Sequence, residues 1–312
     1  MTEKSGAGVA KQQKRKVYFY ETYLVSEKDG LEQRAPVEFW QNFKTELKSL
    51  DKDHRRVVID GTGYAGVHRQ SVSPARTLVY LGRLRSPDEW PDTFDVQTGD
   101  FAELQVAGGA SSLAERSYLL DYGRSNVAVM GASFGAPRVS SVEGWLTQVS
   151  GVIANGFQIS LRPIVNPNFR RDLNAALGAR SVVFKVDRGT AVPKAGGGDL
   201  GAAARAARSV SGEIAITIRL SAETAKAADA TTSALAEGVK WLVDTDVVSR
   251  GEVSLVLPDG DDGRRVEHYD FFKSRMTETA VIRTGPDGTR ASEDTIVGAI
   301  ADAIAKLRRR QG

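Results

Sequence analysis

The chain has 312 residues, 41% of them hydrophobic and 26% charged, with a formal net charge of +3. That length fits about two domains of about 150 residues each. No run approaches the roughly 18 apolar residues of a membrane span, and the polar, basic start lacks the apolar centre of a secretion signal, so a cytoplasmic protein is expected. With no cysteine, disulfides and thiolate metal sites are excluded, and His54, His68 and His268 lie too far apart for ligand spacing. No cofactor is expected, and the metal chemistry left open is a magnesium held by carboxylates.

In chain order, residues 1–16 read as a flexible basic tail that ends in KQQKRK. VYFYETYLV follows as a strand over about Val17 to Val25. Alternation places Tyr18 and Tyr20 on one face and Tyr23 on the other, which suits strand residues better than a base-stacking platform. EFWQNFKTELKSL sets Phe39, Phe43, Leu47 and Leu50 at helical spacing, one apolar stripe to lie on a sheet. That sheet takes RRVVID, YAGVHR and RTLVYLGRL, and residues 86–109 read as irregular. RSYLLDYGRSNVAVMG predicts a hairpin around Tyr122 to Ser125, followed by a helix over about 140–149. GFQISLRPIV and RSVVFKVD read as strands on either side of a short helix, FRRDLNAALG.

Ala195-Gly196-Gly197-Gly198 is the clearest change of composition and is expected to be a mobile hinge. The expected division is therefore a first α+β domain over 17–190 and a second over 191–312. The second reads as a helix (200–208), the strand GEIAITIRL, a long helix (222–242), the strands EVSLVL, RRVEHYDFF and RMTETAVIR, and a final helix from Glu293 to Arg310. The class is α+β with mixed or antiparallel sheets and packed helices.

Two glycine motifs carry chemistry elsewhere. Gly61-Thr62-Gly63-Tyr64-Ala65-Gly66 matches the dinucleotide fingerprint in letters, but VHRQSVSP follows where the fingerprint requires a helix, so a tight turn between strands is expected. Gly131-Ala132-Ser133-Phe134-Gly135 follows an apolar strand as a nucleophile elbow would, and His268 with Asp244, Asp246 or Asp259 could complete a serine-hydrolase set. Against it, Pro137 disfavours a helix starting at the serine, and His268 sits within a strand pattern. A serine hydrolase using Ser133 and His268 is thus the alternative to a non-enzymatic reading.

Charge distribution says more than net charge. Between Gly151 and Arg208 stand Arg162, Arg170, Arg171, Arg180, Lys185, Arg188, Lys194, Arg205 and Arg208, against Asp172, Asp187 and Asp199. Acids are too scarce there to occupy every cation, and arginine suits bidentate phosphate contact. With Arg219 and Lys226, these residues form the candidate DNA-binding set.

From about Val17 to about Lys306, the order of elements resembles the RexA exclusion proteins of temperate phages. The stretches that carry it are YLLDYGRSNVAVM with Ser133-Phe134-Gly135-Ala136-Pro137 and the helix to Trp145-Leu146, EIAITIRL before a basic helix, and Glu267-His268-Tyr269. The resemblance implies a homodimer that binds double-stranded DNA without marked sequence preference. It also implies two domains able to move, and a role in phage exclusion, superinfection immunity and abortive infection from a prophage, with a RexB-like membrane protein as effector. The chain is more distantly similar to RdgC, a DNA-binding recombination protein. It departs from the pattern at Gly196 to Ala207 and in its basic N-terminal extension.

Overall fold

The computed structural model describes residues 12–72, 76–86, 89–90, 93–94, 97, 101–102, 104, 112–186, 192–193, 196–210, 215–222, 229–245, 247–248, 250–260, 263–270, 274–283 and 291–311. The fold is α+β, with antiparallel sheets and packed helices. Two compact units account for it, one of residues 1–17, 36–155 and 278–306, the other of residues 18–35, 156–277 and 307–312. This division does not follow a cut between residues 190 and 191, because core residues from Val165 to Val186 pack in one cluster with those from Leu200 to Leu257.

In the first unit the strands are β3 (Arg56–Ile59), β4 (Thr62–Ser71), β5 (Arg76–Leu84), β8 (Ala114–Asp121), β9 (Asn126–Gly131) and β15 (Thr277–Arg283). Strand β1 (Gln12–Ser26) begins here, so the basic residues Lys14, Arg15 and Lys16 lie in a strand rather than a loose tail. Neighbours run β1-β9-β8-β5-β4-β3. Short β6 (Thr93–Phe94) and β7 (Phe101–Ala102) pair separately.

Strands β3 and β4 meet at Asp60-Gly61, both at positive φ (48° and 76°), the mirror-image turn that suits the twist of a tight hairpin. The fingerprint-like glycines therefore belong to a hairpin, as the missing helix signal predicts. Helix α1 (Phe39–Ser49) buries Phe39, Trp40, Phe43 and Leu47. The Arg55 guanidinium closes its C-terminal end by donating from Nε to the Leu50 carbonyl (2.8 Å) and from Nη2 to that of Lys48 (3.2 Å), where positive charge suits the helix dipole. Helix α2 (Val139–Val149) sends Trp145 onto the sheet at Gly66, with the indole donating to the Arg55 carbonyl at 3.0 Å. On the opposite face of β4, Ser71 donates to Asp294 (2.7 Å) in the first turn of the C-terminal helix α6 (Glu293–Gln311). With helices on both faces, the central strands are apolar in unbroken runs, Leu78 to Leu81 and Val127 to Met130.

In the second unit, the later part of β1 pairs with β10 (Phe157–Pro163) on one side and β2 (Glu32–Arg34) on the other. A separate sheet has the order β12 (Ile216–Ser221), β11 (Gly178–Val186), β13 (Arg250–Asp259), β14 (Gly263–Asp270), all antiparallel. Helices α3 (Pro167–Ala175), α4 (Gly198–Val210) and α5 (Asp229–Asp244) cover one of its faces. There Val182, Phe184, Val253, Leu255 and Leu257 meet Phe169, Leu173, Leu200, Val239 and Leu242. Gly196, Gly197 and Gly198 hold positive φ, and Gly196 and Gly197 lie against the Trp241 ring. These glycines are a packed entry to α4 inside one unit, whereas a mobile joint between two domains was expected.

Candidate nucleic-acid interface

Side chains alternate along a strand, so the register of the four-stranded sheet fixes what its other face presents. Three rows cross it. Thr217, Lys185 and Arg250 form the first, Arg219, Val183, Glu252 and Asp270 the second, and Ser221, Ser181, Ser254 and His268 the third. Val256 opposite Val266 and Pro258 opposite Arg264 continue the face along β13 and β14. Arg219, Arg250, Arg264 and His268 are exposed, while Ser254 is buried. A bulge between Ala179 and Ser181 puts Arg180 in the extra position, also exposed.

Lys185 and Arg250 are directly opposite, an arrangement that costs roughly 0.2–1 kcal/mol between like charges and concentrates positive potential at that end of the sheet. Arg180, Arg219 and Arg250 make no ion pair among the described residues. Two carboxylates, Glu252 and Asp270, share the face and are themselves cross-strand neighbours. The third row is hydrogen-bonded: Ser181 Oγ lies 2.9 Å from Ser254 Oγ, which lies 2.8 Å from His268 Nδ1.

The cations expected from the sequence separate into three groups. Some are occupied by the fold. Arg162, on β10, pairs with Glu32 and lies 4.3 Å over the Tyr23 ring. Arg170 pairs with Asp244 at 2.7 Å, both half-buried. Arg205 donates to the carbonyls of Gly196 (3.0 Å) and Pro193 (3.3 Å), tying down the entry to its own helix. Arg208, half-buried on α4, and Arg171, whose pair with Asp172 at 3.3 Å is solvent-exposed and therefore weak, form an intermediate group. Arg180, Lys185 and Arg219 are brought together on β11 and β12. Arg188, Lys194 and Lys226 lie outside the described residues.

Arg250 and Arg264 were missed by reading a contiguous block, since only cross-strand register carries them to the same face as Lys185. The alternation of RGEVSLVL and RRVEHYDFF was the signal available for them.

On the helix-covered side, the Tyr269 hydroxyl donates to Asp172 at 2.7 Å. Burial, reinforced by that carboxylate, pushes the phenol up to about 12, and the same hydrogen bond holds Asp172 below the usual carboxylate range. Beside the end of β14 is an open cleft of about 380 Å³, bounded by His268, Asp270, Asn166 and Asn168.

Ser133 sits in an exposed turn, and α2 begins only at Val139, so the chain does not run from strand through serine straight into a helix. Gly135 of that turn lies over the Glu115 carboxylate, with no space for a Cβ. The hydrogen-bond partner of His268 is Ser254. Among the described residues, no group of three or more His, Asp or Glu is arranged to hold a metal, and no helix is long and apolar enough to cross a membrane. No protein-family model and no curated protein matches this chain.

Proposed function

We propose that this chain binds double-stranded DNA without sequence preference, as a homodimer, in a RexA-like exclusion of other phages that works through a RexB-like membrane protein. The observation that carries the DNA reading is the set of exposed cations Arg180, Arg219 and Arg250 beside Lys185 on the sheet face opposite α3, α4 and α5. Such cations displace condensed counterions from the duplex, which gives affinity without reading bases. The hydroxyls of Ser181 and Ser221 add neutral donors suited to phosphate oxygens. The exclusion role and the membrane partner rest on the resemblance in element order.

The test is gel retardation of several unrelated duplexes across a salt series. Similar affinity for all of them, with log affinity falling linearly as log salt rises, is the expected result. Strong preference for one short site, or no retardation at low salt, overturns the reading.

A further inference from the structure

The structure points to β14 as the surface through which two copies of this chain join: we propose that the β14 strands pair antiparallel about a two-fold axis at Val266, making one continuous sheet of eight strands. This names the interface of the homodimer proposed above and rests on that reading only for the existence of a dimer.

Among the described residues, strand β14 has a single strand neighbour, β13, and all residues from Gly263 to His268 are exposed. An edge of that length presents unpaired backbone groups that another strand can use. In an antiparallel pair about a two-fold axis, residues equally distant from the axis are opposed and share a face. With the axis at Val266, Arg265 of each copy stands opposite Glu267 of the other, twice over, and Arg264 stands opposite His268. Val266, an apolar side chain 39% exposed, meets its own copy.

Neighbouring registers are worse. An axis at Arg264 or Arg265 sets that charge against itself, an axis at Glu267 sets two glutamates together although it brings Arg264 opposite Asp270, and an axis at His268 opposes no charges of opposite sign within the strand. The Arg265 and Glu267 side chains are each about half exposed (52% and 48%), and at 3.9 Å from one another within a chain they make only a loose pair. Both therefore remain available to a second strand.

The experiment is a charge-swap series on the full chain, read by sedimentation velocity over a concentration range, with circular dichroism to confirm folding. Glu267→Arg places two like-charge pairs in the interface and is expected to raise the dimer dissociation constant by roughly tenfold or more. Adding Arg265→Glu to that variant restores both pairs with the charges exchanged and is expected to return the dimer. A folded Glu267→Arg protein that dimerises as tightly as the unsubstituted chain overturns this interface, as does a double variant no tighter than the single one. An unsubstituted chain that stays monomeric at tens of micromolar also overturns it. Duplex retardation of the same samples is a separate readout, so DNA binding without dimerisation, or dimerisation without DNA binding, tells which of the two ideas has failed.

Discussion

Gly66 lies flat under the indole of Trp145, so close that a Cβ at that position would overlap ring atoms Cζ2 and Cη2. The ring is held in place by its hydrogen bond to the Arg55 carbonyl, which also accepts from the Gly66 N–H, and by an edge contact with Phe43 at 5.6 Å. It cannot retreat without losing both. Gly66→Ala is therefore expected to cost about 1–3 kcal/mol through overpacking. A urea midpoint equal to that of the unsubstituted chain would show that the indole moves aside freely.

The division of the arginines into exposed and occupied ones makes a contrast that one DNA-binding series can read. Arg219→Ala with Arg250→Ala is expected to weaken duplex binding and to flatten the slope of log affinity against log salt by about two, leaving the unfolding midpoint near its original value. Arg170→Ala is expected to do the opposite, because it strips the half-buried Asp244 of its partner: stability falls and the salt slope stays. Equal flattening by both would mean that the sheet face carrying Arg219 and Arg250 is not the contact surface.

Ser133→Ala is expected to leave fold and duplex affinity unchanged, since the side chain sits in an exposed turn. The complementary measurement is labelling with a fluorophosphonate probe. Labelling that disappears with the substitution would establish a reactive serine and favour a hydrolase.

The Tyr269 to Asp172 hydrogen bond predicts an alkaline limit. A folded-state value raised above the ordinary 10 gives stability that is complete below pH 10 and is lost as pH rises towards about 12. Tyr269→Phe should remove this component, so its unfolding midpoint should change less between pH 9 and 12 than that of the unsubstituted chain. An identical pH profile would place the alkaline sensitivity elsewhere.

At the acid end, burial, with the nearby charges of Lys48, Arg55 and Arg69 adding to it, lowers the affinity of His68 for a proton, and its Nδ1 is buried without a hydrogen-bond partner. The neutral imidazole is the folded form, so its contribution is present above the ordinary 6.5 and is lost as pH falls below it. His68→Gln should flatten the stability profile below about pH 6.5; a profile as steep as before would exclude His68 as its source.

Local patterns were legible and long-range pairings were not. The apolar spacing of Phe39, Phe43 and Leu47 predicts α1, and Pro137 predicts the late start of α2, because both depend on a few adjacent residues. The start of β1 was misread, since Lys14 to Lys16 look like a solvated tail until a neighbouring strand is supplied. The site followed the same rule. A run of cations without acids was visible, but Arg162 is neutralised by Glu32, 130 positions earlier, and Arg170 by Asp244, 74 positions later. Arg250 joins Lys185 only through strand register. Counting charges in a window finds the basic region and cannot say which of its members are already engaged.

The way the chain alternates between its two compact units has a consequence for synthesis and for dissection. It passes from one to the other after residues 17, 35, 155, 277 and 306. On a ribosome, the first unit lacks its last segment until residue 306 has emerged, so neither unit is complete before that residue has been made. No single cleavage separates one unit from the other, and an expression fragment ending between residues 36 and 305 carries two incomplete units.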